Sequence, residues 1–375
     1  MTKHVVLGVI FGILSACAAG RVVPSSEFPI ETHVRLPPDA GEDKIVTALT
    51  ATTTQPPPPI LLRRRGVNLS GGEFGSRVPG TYGVDYKYPS REDVDYFATR
   101  GMNHLRVLFR HERLQRQLQG PLDEAEWGRL LDLVTYASVD RSMSVTIVPY
   151  NSARFYDHVL TEVQMGDLWG RIAVRLKTHP AAARLYLNLT NEPHDMTTES
   201  WVALANAGIR EIRRVGFVGL VQAPGNGWSG GQSWSSSWFG TPNSIAMLNV
   251  VDPQDNLAFE IHQYLDTNAS GASDCVNKSI GSERIAGFID WLRKNGKHGW
   301  LGEFAAPNTP TCRVAVTRML DLVERSYDVF MGWSWYGAGV WSFATTYPLS
   351  IGPTPPGVPE KPQMAWLKPF LPGCP

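Results

Sequence analysis

Two carboxylates in the sequence stand where strand-like runs end. "LYLNLTNEPHD" (Leu185 to Asp195) alternates apolar residues and then delivers Asn191, Glu192 and Pro193. Proline has no N–H to give to a ladder, so the run is expected to stop there and present Asn-Glu at a sheet rim. "GWLGEF" (Gly299 to Phe304) ends in the same way on Glu303. A pair of carboxylates about 5–5.5 Å apart is what cleavage of a glycosidic bond with retention of configuration requires. One attacks the anomeric carbon; the other protonates the leaving oxygen and then activates water. The attacking group, Glu303 in this reading, must be ionised and so needs donors and positive charge beside it. The other, Glu192, must begin protonated, and an anionic neighbour raises its pKa to that end.

The surrounding chain supplies elements able to hold such a pair. From Leu61 onward short apolar runs alternate with amphipathic helical ones, and eight strand candidates can be counted: "RRGVNL", "NHLRVLF", "SVTIVP", "RLYLNLT", "FVGLVQA", "LAFEIHQY", "GWLGEF" and "VFMGWSWY". Strands alternating with helices argue for an α/β fold with a parallel sheet, and eight units in about 310 residues suit a closed (β/α)8, or TIM, barrel. A doubly wound sheet is the competitor, but no glycine-rich phosphate loop follows the first strand. In the barrel Glu192 lies at the end of the fourth strand and Glu303 at the end of the seventh. The helix after the fifth strand is poorly signalled; "GWSGGQSWSSSW" reads as a long rim loop instead.

The 375 residues carry 35 basic and 35 acidic side chains, a formal net charge of zero, so there is no nucleic-acid footprint. No zinc-type Cys/His spacing, P-loop or dinucleotide fingerprint is present, and no metal or cofactor is expected. Twelve tryptophans are many, and Trp and Tyr are the side chains that stack on sugar faces. Residues 1–16 read as an export signal, with a basic start and the apolar run "VVLGVIFGIL". "LSAC" follows and resembles a bacterial lipobox, which would place a lipid on Cys17; an ordinary cleavage site is the alternative. Residues 17–60, rich in Pro and Thr with four consecutive prolines, read as a flexible tether, and 61–375 as the folded domain. Of the other cysteines, Cys275 and Cys312 fall in expected loops after strands and could meet on one rim, leaving Cys374 over.

Five motifs, "RGVNLSGGEFG", "GMNHLRVLFRHERLQ", "LTNEPHDM", "FEIHQYLDTNASG" and "WLGEFAA", resemble in their order those of glycoside hydrolase family 5, and most nearly its branch of fungal and bacterial cellulases. The likeness runs from about Arg64 to Trp341. It implies a (β/α)8 barrel, retention, no metal, Glu192 as acid/base and Glu303 as nucleophile. It further implies that Arg106 holds the nucleophile, that Asn191 bonds the sugar 2-OH, and that His262 and Tyr264 contact the acid/base and the nucleophile respectively. Strand alternation puts His262 and Tyr264 on one face, where a bland reading makes them satisfied core residues. "APGNGWSGGQSW" is similar to the family's loop after the fifth strand, with Trp228 as a sugar platform and Trp234 and Trp238 as equally placed candidates. Cys275 and Cys312 fall where that branch often has a disulfide.

Two stretches depart from the family pattern. Where it has "DPHNY" this chain has "VPYNS", so Tyr150 stands in for a sugar-binding His, beside Asn151. Where it has "WWAAGPWW" this chain has "WYGAGVWS": Tyr336 replaces the Trp that floors the central subsite, Trp335 and Trp341 flank it, and Val340 and Ser342 replace Pro and Trp. The bond-breaking set is whole while sugar contacts differ. The expectation is therefore a monomeric endo-β-1,4-glucanase acting on soluble or amorphous β-linked glucan, lipid-anchored or secreted. The alternatives are a retaining enzyme for another β-glycan such as mannan or xylan, a transglycosylase, and a surface glycan-binding lipoprotein without turnover.

Overall fold

The computed structural model describes residues 63–339 and 347–371. The proposed signal, Cys17 and the tether lie outside these residues, as do Val340, Trp341, Ser342 and Cys374. Eight parallel strands close into a barrel: β1 (Arg64–Gly72), β2 (His104–Phe109), β3 (Ser144–Pro149), β4 (Leu185–Asn188), β5 (Val221–Pro224), β6 (Leu257–His262), β7 (His298–Phe304) and β8 (Phe330–Gly339). Each strand pairs with its sequence neighbours, and β8 returns to β1. The helices are α1 (Arg91–Ala98), α2 (Glu124–Thr135), α3 (Glu162–Leu176), α4 (Thr198–Arg214), α5 (Asn243–Ala246), α6 (Ile280–Asn295), α7 (Pro310–Arg325) and α8 (Pro362–Leu367), with a further single helical turn at His111–Leu114. The weak helical signal after the fifth strand is met by α5, a single turn within a long loop. Among the described residues no helix is long and apolar enough to cross a membrane.

Local chemistry sets the helix ends. Ser90 with Asp93 and Thr161 with Gln164 form capping boxes that start α1 and α3. Gly296, at φ 59°, closes α6 in the left-handed conformation that glycine adopts without a Cβ clash. Two helical tryptophans then tie the outer layer to the strand ends: Trp169 Nε1 of α3 donates to Leu189 O (3.1 Å) and Trp201 Nε1 of α4 to Pro224 O (2.7 Å). Both indoles are fully buried, so each is an apolar anchor with its one polar atom satisfied.

Alternation along the strands divides the barrel in two. Val67, Leu69, Leu105, Val107, Val145, Ile147 and Leu187 are fully buried in the apolar shell beneath the helices. The intervening residues form polar contacts across the interior: Asn68, Arg106, Thr146, Asn188, Gln222 and Glu260. Below them, toward the strand starts, His104, Tyr186 and Trp300 make an aromatic plug, with ring centroids 4.7–5.8 Å apart. The interior is thus an aromatic floor under a stack of hydrogen-bonded polar groups, and the stack rises to the C-terminal rim.

Candidate active site

At that rim β7 breaks register. Ile261 pairs with Leu301, but the next residue, His262, pairs with Glu303; on the other side Trp333 pairs with Leu301 and Trp335 with Phe304. Against both neighbours β7 carries one extra residue, a bulge at Gly302–Glu303. Strict alternation would turn Glu303 outward with Leu301; the bulge re-aims it into the mouth. Glu192 arrives differently. β4 ends at Asn188, five residues before Pro193, so the strand is shorter than the sequence run suggested. The chain continues extended, with Asn191 N donating to Pro149 O (2.8 Å). Glu192 itself sits at φ 44°, a left-handed conformation rare for a residue with a side chain. Pro193 O then accepts from Gly227 N and Trp228 N (2.8 and 3.1 Å), which anchors the loop after β5.

One oxygen from each glutamate and a His262 ring nitrogen lie within 4.8 Å of one another. Glu303 Oε1 accepts from Arg106 Nη1 (2.8 Å) and Oε2 from the Tyr264 hydroxyl (3.0 Å). His262 Nδ1 is 2.7 Å from Glu192 Oε1 and 3.6 Å from Glu303 Oε2. Arg106 is wholly buried, and its terminal protons are fully assigned: Nη1 donates to Asn68 Oδ1 and Glu303, Nη2 to Asn191 Oδ1 (2.9 Å) and Glu260 Oε1 (3.1 Å). With its carbonyl oxygen on Arg106, Asn191 has its NH2 left to donate. Arg106, Asn191, Glu192, His262, Tyr264 and Glu303 therefore form one connected network.

Charges in this network perturb one another. Burial pushes the Glu303 carboxyl above its ordinary value; His262 and Arg106 draw it back, Glu192 adds to the rise, and the Tyr264 hydrogen bond lowers it. The cations expected beside Glu303 are there, but burial outweighs them. For His262 burial favours the neutral ring, yet Glu303, Glu192 and Glu260 together hold it up at about 10. Burial, with Glu303 and Glu192 adding to it, pushes Tyr264 well above its ordinary value and Tyr150 up to about 12. These phenols are hydrogen-bond donors throughout the neutral range.

The residues expected to touch sugar divide. Trp228, also at positive φ, is 46% exposed; one face stacks on His194 (4.7 Å, 14°) and its edge meets Phe239. Trp228, Trp238, Glu192, His262 and Tyr264 line a single cavity of about 410 Å³. A larger cavity of about 900 Å³ lies by Tyr82, Arg91 and Asp132, and neither glutamate borders it. Tyr336 is half-buried, edge-on to Tyr264 (6.4 Å), and close enough to Glu303 to feel its charge, as is Tyr150.

Four expectations need correction. Trp335 has no exposed surface: its ring packs on Phe304 and Trp366 and its Nε1 donates to Leu349 O (2.9 Å). It follows the outward parity of Trp333, and a ring inside the helix layer offers no face to a sugar. Trp234 is likewise core, edge-on to Phe288 and Trp291. Asn151 donates to both oxygens of Glu112 (2.7 Å each) and accepts from His111 N (3.0 Å), so its amide braces the loop after β3. Cys275 and Cys312 form a disulfide, but Cys312 lies in the first turn of α7 rather than in a loop. Sequence reasoning missed Asn68, Glu260, Glu73 and Tyr347. The first two are polar residues inside apolar runs, a signal that was readable. Glu73, in the "GGEFG" turn, and Tyr347 are marked only by their closeness to Glu303 in space.

The comparisons agree with this architecture. The model for "Cellulase (glycosyl hydrolase family 5)" matches residues 64–339. Endo-beta-1,4-glucanase B of Aspergillus niger is 34% identical over 279 residues, 74% of this chain and 81% of that protein. Among solved structures, an endo-beta-1,4-glucanase from Xanthomonas axonopodis pv. citri is 39% identical with a TM-score of 0.79, covering 82% of this chain and 98% of that one. XacCel5A in complex with cellopentaose is 38% identical with a TM-score of 0.79, covering 82% and 99%. Pseudomonas stutzeri endoglucanase Cel5A in complex with cellobiose is 28% identical with a TM-score of 0.72, covering 82% and 92%. The chain belongs to glycosyl hydrolase family 5, the cellulase family.

Proposed function

We propose that this protein is a retaining endo-β-1,4-glucanase working by double displacement, with Glu303 as nucleophile and Glu192 as acid/base. The observation that carries the reading is the approach of the two carboxylates to within 4.8 Å at the barrel mouth. That spacing suits direct attack on the sugar and leaves no room for the water an inverting enzyme places between them. Of the pair, Glu303 has two fixed donors, Arg106 and Tyr264, to stabilise its charge. Among the described residues Glu192 has one polar partner, the His262 ring (2.7 Å), and it faces the cavity with Trp228. Attack by Glu303 forms a glycosyl ester and removes its charge while Glu192 protonates the departing oxygen. Glu192, now ionised, takes a proton from the water that hydrolyses the ester. Asn191 is placed to donate to the 2-OH, a contact that strengthens in the transition state.

The choice of β-1,4-glucan rests on the relatives, three of which are named endo-β-1,4-glucanases or endoglucanases and one of which was solved with cellopentaose. Release of reducing ends from soluble β-1,4-glucan, but not from mannan or xylan, is expected, with products of retained anomeric configuration by NMR. Absence of product from every β-1,4-glucan would reject the assignment. Glu303→Gln is expected to lower kcat by at least ~10⁴-fold with the fold and oligosaccharide binding intact; near-normal turnover would show the nucleophile to be elsewhere. By the reading of the sequence the enzyme is exported and anchored through Cys17, which labelling with radioactive palmitate, lost in Cys17→Ser, tests.

A further inference from the structure

Beneath the two glutamates lies a third carboxylate that the reaction does not use. Glu260 sits on β6, two residues before His262, and is wholly buried. Its Oε1 accepts from Arg106 Nη2 (3.1 Å) and lies 3.1 Å from His262 Nε2; its Oε2 accepts from Asn188 Nδ2 (2.5 Å). The other face of the carboxyl is closed by the β7 bulge: a Cβ on Gly302 would lie 2.3 Å from Glu260 Cδ. Arg106 Nη2 is 3.4 Å from the same ring nitrogen, but both of its protons are directed to Asn191 and Glu260. The Nε2 proton therefore belongs to the ring and points at Glu260, which fixes the tautomer and leaves Nδ1 facing Glu192.

We propose that Glu260 is a positioning residue that holds Arg106 and His262 through one oxygen and whose charge keeps the proton that Glu192 must donate. The inference rests on the reading of Glu192 as acid/base. Its physical content is a charge count. The groups facing the Glu192–His262 pair are Glu303 from β7, Arg106 from β2, Glu260 from β6 and, uncharged through neutral pH, the phenols of Tyr264 after β6 and Tyr150 after β3. With His262 an imidazolium, two buried cations face three carboxylates, of which Glu260 and Glu303 are buried and Glu192 is open to the cavity, and the cluster is neutral only when one further proton is held. Burial raises Glu303 as well, but Glu303 already accepts from Arg106 and Tyr264, so we place that proton on the Glu192–His262 pair. Without the charge of Glu260 the same two cations balance the two remaining glutamates, and the extra proton is no longer retained. Removing an anion lowers the pKa of every neighbour, so the alkaline limb of activity moves to lower pH.

The test is Glu260→Gln, whose amide oxygen can still accept from Arg106 and His262 and whose NH2 can donate to Asn188 once the Asn188 amide turns its Oδ1, which has no partner among the described residues, toward it. Aryl β-cellobiosides separate acid catalysis from the rest, since a dinitrophenolate leaves without a proton and a phenolate does not. In the variant the alkaline limb of kcat/KM is expected about one pH unit lower. At the wild-type optimum the phenyl substrate should slow by ~10–100-fold and the dinitrophenyl substrate by less than about threefold. An unchanged alkaline limb, or equal losses on both substrates, would overturn the proposal and leave Glu260 a structural group. If the variant does not fold, ¹⁵N NMR of the wild-type His262 ring decides. An Nε2–H imidazolium persisting through neutral pH supports the hold exerted by the carboxylates, and titration at the ordinary value of 6.5 overturns it. Should Glu303→Gln remain active, the reading of the site fails; should it be inactive while Glu260→Gln leaves both signatures unmoved, only this inference fails.

Discussion

At the scale of single residues the site is governed by how burial and charge divide protons. Glu73 shows this away from the reacting pair. It is wholly buried at the end of β1, accepts from Gly71 N (2.7 Å), and its other oxygen has no partner among the described residues. Burial raises its pKa from 4.5 to about 7, against backbone and Ser70 hydrogen bonds that lower it. The sign follows from linkage. Between pH 4.5 and 7 the folded state holds a proton that the unfolded state has released, so this group's contribution to stability falls as pH rises through that window. Below the window both states are protonated and no penalty exists. Glu73→Gln, neutral at every pH, is therefore expected to gain on the wild type with rising pH, by up to about 3 kcal/mol above neutrality. Urea midpoints of the two proteins across the range check it; a constant difference would mean that Glu73 is not buried as an acid.

At the scale of elements, alternation tells what the sequence could and could not convey. The eight strands, the helical layer and the placing of Glu192 and Glu303 at strands four and seven were readable, because apolar alternation and a terminal Pro are local signals. So was the inward face that carries Arg106 and His262. Trp335 is where motif likeness and parity disagree: likeness sets it beside the sugar, but it shares a face with Trp333, and both are buried under the helices. Glu303 is the converse case, since parity alone would send it outward and only the bulge at Gly302 brings it in. A bulge has no side-chain signature other than the glycine itself, and this glycine is required. Glu260 is held by Arg106, His262 and Asn188 and cannot yield to a methyl group 2.3 Å from its Cδ. Gly302→Ala is expected to cost about 1–3 kcal/mol and to displace Glu303 from Arg106. Adding Glu260→Asp, which withdraws the carboxyl, should recover part of the stability, a coupling of at least ~0.5 kcal/mol in a double-mutant cycle. Strict additivity would show that the two do not meet.

At the scale of the whole molecule, the barrel separates stability from chemistry along its axis. The aromatic plug of His104, Tyr186 and Trp300 closes the end where the strands begin, and the functional groups collect where they end. The loops at the rim need their own support, and one of the long connections there is stapled. Cys275, in the loop between β6 and α6, is joined to Cys312 in α7 across a sequence separation of 37. The same junction holds a hydrogen bond from Thr309 Oγ1 to Asp274 Oδ1 (2.7 Å). Asp266 gathers the preceding turn by accepting from the backbone of Ser270, Gly271 and Ala272. That turn supplies Asn268 and Ser270 to the cavity holding Glu192. Closing a loop of this length removes unfolded-state entropy equivalent to about 3–4 kcal/mol. The paired change Cys275→Ala and Cys312→Ala is therefore expected to lower unfolding free energy by about that amount while kcat on soluble glucan stays within about twofold, since neither sulfur touches the glutamates. Chemical denaturation followed by Trp fluorescence measures the first and steady-state kinetics the second. A loss of kcat without a loss of stability would reverse the assignment, making the staple part of the working site rather than of its support.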